Sequence, residues 1–433
     1  MMLRFLLLCG LGPAGLLPAM AAPPNVVMII SDDQGFGDYG FMGHPLAATP
    51  HLDKLAARSL CFKNGYVPSS LCCPSLASLI TGRYPHQHGI TGNDPSVDRT
   101  GGGYTRTPEF AAGRERMRQL IHSSPTLPRL LGEHLGHRSL QTGKWWLGGY
   151  ADGGFTEGMT MGDPAKGGRH GDAGLSIGRK GLEPVFDFIR RTTADSKPFL
   201  VWYAPMMPHL PHDPPAEILA KYLDRVPSPH MARYLAMVEW FDRTCGELLD
   251  FLDQEKLADN TVVVYLCDNG WIQQPDAPEF APRSKQSPYE GGLRTPIMLR
   301  WPGKIAPSMP AAPVSSIDLM PTLLKACGAP VPEGCPGLDL LDPAPLSARQ
   351  SLFGACFDHD MVDLSEPVRS LKWRWCRAGD WKLILPSPRL PEARPELYDL
   401  AQDPGELKNL AETQPSRLAD LTSGINAWWD ARP

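Results

Sequence analysis

The sequence predicts an α/β protein: a large, mostly parallel central sheet flanked by helices, followed by a small antiparallel α+β subdomain. Three observations carry that expectation. Continuous apolar runs at Asn25–Ile30, Pro198–Ala204 and Thr261–Cys267 have the length and composition of strands buried on both faces. Helical apolar spacing lies between them, at Leu127–Leu135 and Met231–Glu255. Each run also stops abruptly in a polar cluster, where open α/β sheets carry their ligands.

Composition bounds what such a chain can do. Its 433 residues, 42% hydrophobic and 21% charged, suffice for two or three domains with sizeable cores and exclude large-scale disorder. With 42 basic against 47 acidic residues the net charge is −5, so nothing favours nucleic acid as a partner. An anionic substrate must instead be held by a metal or a few placed cations.

Residues 1–22 read as a secretory signal: Arg4, an apolar stretch from Phe5 to Leu17, and Ala19-Met20-Ala21 as the cleavage site. Gly10, Gly12, Pro13 and Pro18 break the run too often for a membrane span. The expected location is outside the cytoplasm, periplasmic or secreted. Nine of the ten cysteines follow the signal, an odd set that leaves at least one unpaired or modified in an oxidising compartment. Cys327 with Cys335 and Cys356 with Cys376 are the candidate bridges. Cys61, Cys73 and Cys267 read as structural.

Taken in order, the first strand ends in Ser31-Asp32-Asp33-Gln34-Gly35, two adjacent acids at a strand exit. Thr49 with Pro50 opens a helix through Arg58. In the stretch Ser69–Arg83, Pro74 favours a first helical turn and Gly82 closes the helix, which places Cys72 and Cys73 at its entrance. Free N–H groups and the positive end of the helix dipole make that entrance welcoming to anions. Residues 92–118, rich in Gly, Thr and Arg, read as a surface excursion without a period.

A helix at Leu127–Leu135 leads to a short strand ending in Gly143-Lys144-Trp145-Trp146, then to a Gly-rich loop over 148–181 that holds Arg169-His170-Gly171-Asp172. The strand Pro198–Ala204 runs into Pro208-His209-Leu210-Pro211-His212, and Thr261–Cys267 into Asp268-Asn269-Gly270. Ser284-Lys285 and Tyr289-Glu290-Gly291-Gly292 precede a strand at Ile297–Trp301, and a helix over about 316–326 ends at Gly328. The Pro-rich stretch 329–348 marks a boundary, so the expected units are 1–22, a catalytic domain 23–335 and a C-terminal subdomain 336–433. The last unit holds strands near Ser351–Phe357 and Trp381–Leu385 and a final helix after Glu412.

The oxygen donors of Asp32, Asp33, Asp268 and Asn269 suit a hard divalent ion, Ca2+ or Mg2+, and no clustered His and Cys set points to zinc. Together with Cys72-x-Pro74-Ser75, Leu79-x-Thr81-Gly82-Arg83, Gly143-Lys144-Trp145, Pro208-His209-x-Pro211, Tyr289-Glu290-Gly291-Gly292-x-Arg294-x-Pro296 and Glu396-Leu397-Tyr398-Asp399-Leu400-x-x-Asp403-Pro404, they resemble the blocks of the sulfatase family, in sulfatase order. The resemblance implies an alkaline-phosphatase-like sandwich in which a formylglycine-generating or sulfatase-maturating enzyme oxidises Cys72 to formylglycine. It further implies one Ca2+, with Mg2+ as the alternative, held by Asp32, Asp33, Asp268, Asn269 and the modified Cys72. Lys144 and Lys285 would hold the sulfate and His209 would protonate the leaving oxygen of a sulfated small molecule or glycan. The chemistry is sensible: a thiol bonded to sulfur has no easy exit, whereas a hydrated aldehyde has a second hydroxyl with which to expel sulfate.

Two positions depart from the family pattern. Leu76 stands where the family carries an arginine that supports the modified cysteine, and Trp146 stands where it carries a histidine acting as base for sulfate elimination. Leucine cannot donate a hydrogen bond and an indole N–H cannot accept a proton. His86, His88 and His170 are the candidate replacement bases, His170 foremost, with Arg169 or Arg83 supplying the lost charge. Trp145, Trp146, Trp202 and Trp271 are expected near the site loops, where they would stack sugar rings and favour a sulfated carbohydrate. The competing expectations are a phosphodiesterase or phosphonate hydrolase of the same superfamily, and a non-catalytic binder of sulfated glycans.

Overall fold

Seven consecutive buried residues make Asn25–Ser31 the middle of the molecule, and the rest of the sheet is laid out from it. The computed structural model describes residues 22–100, 102–162 and 170–432. The expected leader, Ala22 excepted, lies outside the described residues, and so does Arg169.

In chain order the strands are β1 (Asn25–Ser31), β2 (Leu60–Tyr66), β3 (Asp94–Pro95), β4 (Arg138–Gly143), β5 (Glu157–Gly158), β6 (Phe199–Ala204), β7 (Thr261–Cys267), β8 (Arg294–Arg300), β9 (Val314–Ser315), β10 (Leu352–Phe357), β11 (Asp360–Met361), β12 (Leu371–Ala378), β13 (Trp381–Pro386) and β14 (Glu396–Asp399). Eight of them form one sheet in the order β5-β4-β6-β1-β7-β8-β2-β9. β1 pairs in parallel with both β6 and β7, so that Met28 lies between Trp202 and Val264. β8 alone runs antiparallel to its neighbours.

Alternate residues of the central strands serve two cores, as a period of two requires. Val26, Met28 and Ile30 face the helices Cys72–Thr81, Leu127–Leu135 and Leu319–Cys327. Val27 and Ile29 face the helices Pro50–Ala57, Glu183–Ala194 and Pro229–Gln254. The last is the long amphipathic helix expected from Met231, begun two residues earlier because Ser228 accepts from the His230 and Met231 N–H groups.

The register sets up the site. Ser31 lies opposite Cys267, and Gly143 opposite Ala204, so four strands end nearly level. Single backbone bonds carry the ladder one residue further: Asp32 N–H to Met207 O at 3.0 Å, Asp268 N–H to Ser31 O at 3.0 Å and Lys144 N–H to Ala204 O at 2.6 Å. Gly143 is required there, since at φ 74° a Cβ would stand 1.7 Å from the Ala204 carbonyl oxygen.

Two expectations are corrected. Residues 92–118 are not without structure: Pro108–His122 is a helix, capped by the Thr107 hydroxyl on the Phe110 N–H. Its buried stripe is only Phe110, Gly113, Met117 and Ile121, set among exposed polar residues, which hid the period. Neither candidate disulfide forms, since all nine described cysteines are free. Cys376 lies opposite Phe353 while Cys356 lies opposite Trp373, and Cys327 and Cys335 turn toward the carbonyls of Pro24 and Gly82.

β10, β12, β13 and β14 form a separate antiparallel sheet, covered by the helix Pro415–Trp428 through Leu421 and Ile425. Several contacts tie this smaller layer to the main one, two of them through a strand pair and a buried ion cluster. β11 pairs with β3, and the fully buried Lys382 ammonium sits 3.0 Å from Glu290 and 2.8 Å from Glu406. Among the described residues no helix is long and apolar enough to cross a membrane.

Candidate active site

Cys72 is the first residue of a helix buried along its whole length, Cys72–Thr81, which Gly82 ends at φ 63° by returning its N–H to Ser78 O. Burial pushes the Cys72 thiol up, and the ammonium groups of Lys144 and Lys285 pull against it. Those lysines arrive from separate segments, one past the end of β4 and one ahead of β8.

The acids arrive from β1 and β7. Asp33 sits in the left-handed region at φ 59°, a conformation costly for a residue with a Cβ and concentrated at functional sites. Its N–H donates to Asp268 Oδ1 at 3.3 Å, and its carboxylate accepts from Asn269 Nδ2 at 2.6 Å and Lys285 Nζ at 2.7 Å. Lys144 Nζ lies 2.6 Å from Asp32 and 3.1 Å from Asp268. His209 Nε2 stands 3.4 Å from Asp33, and its Nδ1 lies 2.6 Å from the Leu210 carbonyl. A carbonyl only accepts, so Nδ1 carries a proton and Nε2 is the atom turned toward the site.

Charge in so dry a place is divided unevenly. Burial raises Asp33, but Lys285, His209 and Lys144 outweigh it and hold the carboxyl at about 2. Asp268 goes the other way, raised to about 7 by burial and by Asp32, against which Lys144 is insufficient. Burial opposes the Lys144 charge, yet Asp268 and Asp32 keep it firmly protonated. His209 is lowered by burial, with the two aspartates only partly restoring it.

The arrangement fits a cation. One donor atom each from Asp32, Asp33, Cys72 and His209 lie within 4.8 Å of one another. Among the described residues, two buried oxygens, Asp32 Oδ2 and Asn269 Oδ1, have no hydrogen-bond partner. Orphaned acceptors beside three carboxylates and only two ammonium groups are what a hard, oxygen-seeking divalent ion satisfies.

Asp32, Asp33, Cys72, Lys144, His209, Asp268, Asn269 and Lys285, spread over 250 positions of sequence, are thus brought together. His170 is placed through the tryptophans: its ring meets Trp146 edge to face at 4.3 Å, and its carbonyl accepts the Trp145 N–H at 2.7 Å. The other candidate bases are committed to packing. His86 is stacked 4.4 Å from Trp429 and lowered by burial to about 4, and the His88 ring bonds the Ser78 hydroxyl at 3.0 Å and the Ile90 N–H at 3.1 Å.

The tryptophans are corrected too. Trp145 and Trp202 are wholly buried, meeting each other edge to face, and Trp146 and Trp271 are no more than 4% exposed. None offers a face to a sugar; a cluster of aromatic rings at strand ends is core here. Trp271 instead backs Lys285, whose Nζ lies 5.8 Å from the ring. Sequence reasoning missed Asn93, whose Oδ1 accepts the Cys73 N–H at 2.9 Å, because it lies in the stretch that showed no period.

Comparison with known proteins agrees with this geometry. A family model described as "Sulfatase" matches residues 24–329, and one described as "N-sulphoglucosamine sulphohydrolase, C-terminal" matches residues 279–425. The chain is 31% identical to human arylsulfatase A, over 90% of its own length and 84% of that protein. It is 30% identical to N-acetylgalactosamine-6-sulfatase of the dog, over 78% and 68%. A structure solved in complex with its substrate D-glucosamine-2-N,6-O-disulfate superposes with a TM-score of 0.74 at 19% identity, covering 94% of this chain and 98% of that one. Matches of this extent, on a chain whose strand ends converge as described, place it in the sulfatase family of sulfuric ester hydrolases.

Proposed function

We propose that the protein is an exported sulfatase that hydrolyses a sulfate ester on a carbohydrate, with formylglycine made from Cys72 as nucleophile and one divalent cation, Ca2+ before Mg2+. The observation that carries this reading is the buried cluster in which Cys72 shares a 4.8 Å space with Asp32, Asp33 and His209. Asp32, Asp33, Asp268, Asn269 and the modified Cys72 would hold the cation. Bound there, it would neutralise sulfate oxygens and lower the nucleophile's pKa.

The chain's own residues account for the rest. A hydrated aldehyde at position 72 has one hydroxyl to attack sulfur and another whose deprotonation expels sulfate and restores the aldehyde. Lys144 and Lys285, held protonated by carboxylates, supply fixed positive charge to the sulfate. His209 faces the site with Nε2 and, once that atom has taken a proton beside the Asp33 carboxylate and an anionic substrate, passes it to the leaving oxygen. His170, standing on the indole at the position of the family's base, takes the second proton. The carbohydrate preference rests on relatives named for sulfated amino sugars rather than on the tryptophans. Export rests on the leader at residues 1–22, and the domain units remain 23–335 and 336–433.

The test is sulfate release by protein matured with a formylglycine-generating enzyme. N-acetylgalactosamine 6-sulfate, glucosamine sulfates, an aryl sulfate and a phosphate diester are compared, with the mass of the Cys72 peptide measured alongside. Sulfate release that requires the aldehyde and an added divalent ion supports the proposal. Faster cleavage of the phosphate diester, or tight binding of sulfated sugars without release, overturns it.

A further inference from the structure

The helix that carries Cys72 has no cap of its own. Leu71, extended at the N-cap position, offers no acceptor, and Pro74 has no N–H to give. The acceptor comes from another segment, where Asn93 Oδ1 takes the Cys73 N–H at 2.9 Å. Asn93 is 3% exposed and each of its polar groups is engaged. Its N–H donates to His359 O at 2.8 Å, its carbonyl accepts from Arg114 Nη1 at 3.0 Å, and its Nδ2 lies 3.3 Å from His359 Nε2. His359 is itself oriented by Asp360, 2.7 Å from its Nδ1.

Arg114 comes from the helix Pro108–His122 and also donates to the Trp146 carbonyl, while the buried Asp94 carboxylate lies 3.6 Å away. One asparagine and one arginine therefore join three pieces: the entrance of the Cys72 helix, the Lys144-Trp145-Trp146 turn and the segment 359–361. Against them lies an apolar cluster that contains Cys72, Cys73, Leu76 and Trp146 together. Both positions at which this chain departs from the sulfatase pattern belong to that one cluster. A guanidinium at 76 would need a buried partner there; leucine needs none, and the positive charge enters from Arg114 instead.

We propose that Asn93 and Arg114 are positioning residues for the Cys72 nucleophile, supplying from a separate loop and helix the support that the family's motif arginine supplies from within the nucleophile helix. This rests on Cys72 being the nucleophile. Asn93 fixes the first turn through the Cys73 N–H, and Arg114 fixes Asn93 relative to the turn that carries Lys144. Nucleophile and sulfate-binding lysine are thereby held in register through backbone groups.

The test uses the full matured chain with Asn93→Leu, Asn93→Asp, Arg114→Met and Arg114→Lys, reading kcat and KM on an aryl sulfate per aldehyde-bearing site. Aldehyde content by mass and the thermal midpoint are measured on each variant. Asn93→Leu and Arg114→Met should lower kcat at least about tenfold with KM changed by less than about threefold, as expected when a reacting group is misplaced by a fraction of an ångström. Asn93→Asp, which keeps the acceptor for the Cys73 N–H, should recover most of that loss. Arg114→Lys should recover only part, because one ammonium cannot span both carbonyls as the guanidinium fork does.

A kcat for Asn93→Leu within about twofold of the parent at equal aldehyde content overturns the proposal, since a misplaced nucleophile costs more than that. So does an Asn93→Asp variant no better than Asn93→Leu at an equal midpoint. If the parent releases no sulfate, the proposed function fails and the brace is read on the unmodified thiol. Asn93→Leu should then speed alkylation of Cys72 by iodoacetamide severalfold, and an unchanged rate overturns the brace as well.

Discussion

The Cys72 loop has two sides built on opposite terms. Toward the strand ends it faces Asp32, Asp33, Asp268, Lys144, Lys285 and His209, charged or titratable groups packed against one another almost without water. Away from them it faces Leu76, Trp146, Met117 and Ile121, an apolar cluster with polar support only at its rim. The first side holds residues of the blocks that resemble the sulfatase pattern; the second holds Leu76 and Trp146, the two that differ from that expectation. Groups that must match the charge of a sulfate and a cation have few substitutes. A backbone that needs only to be held can be held from elsewhere.

Removing charge from the first side is the strongest way to break that contrast. Lys144→Met should cost about 10²–10³ in kcat through loss of one sulfate-binding donor. It should also destabilise the cation-free protein by about 3–5 kcal/mol, because Asp32 and Asp268 are left buried without their ammonium partner. Sulfate-release kinetics and denaturant titration check both figures, and added Ca2+ should return part of the lost stability. Adding charge to the second side is the converse experiment. Leu76→Arg, which installs the arginine expected from the resemblance, should lower stability by at least about 3 kcal/mol, since it places a guanidinium among the apolar side chains packed with Leu76, and kcat should not rise.

His170→Ala addresses the proposed base, whose ring packs on Trp146. Loss of a general base there should lower kcat by about 10², with binding of the sulfated substrate unchanged. A near-parental kcat removes His170 from the reaction.

The smallest effect belongs to His86, on the packing side. Burial lowers its folded pKa to about 4, below the ordinary histidine value of 6.5, so between those values the folded state binds fewer protons than the unfolded one. Stability is therefore full above pH 6.5 and falls as the pH drops toward 4, by no more than about 2 kcal/mol once partial exposure of the ring is allowed for. His86→Phe keeps the stack on Tyr84 and Trp429 and should flatten that part of the thermal-midpoint profile.

The parts of the fold that were legible are those where one physical term dominates over a short window. A strand buried on both faces must be apolar throughout, so β1, β6 and β7 stood out, and the acids at their ends followed. The helix Pro108–His122 was not legible because its packed stripe is one residue wide and includes Gly113, leaving its arginines to set the average. The tryptophans misled because a ring near a strand end is equally suited to core and to ligand, and only the neighbouring side chains distinguish them. Cysteine pairing and the Asn93 contact depend on which segments meet, which no local pattern contains.

Sequence by itself determined the α/β class, the family and the eight residues that converge on the site, because ordered motifs at strand ends survive any uncertainty in the loops between. Tertiary structure alone decided which oxygens are left without partners among the described residues, which histidines are spent on packing, and that Asn93 and Arg114 reach the entrance of the Cys72 helix. Those outcomes depend on burial and on distances between segments far apart in the chain. Neither quantity exists until the strands are in register.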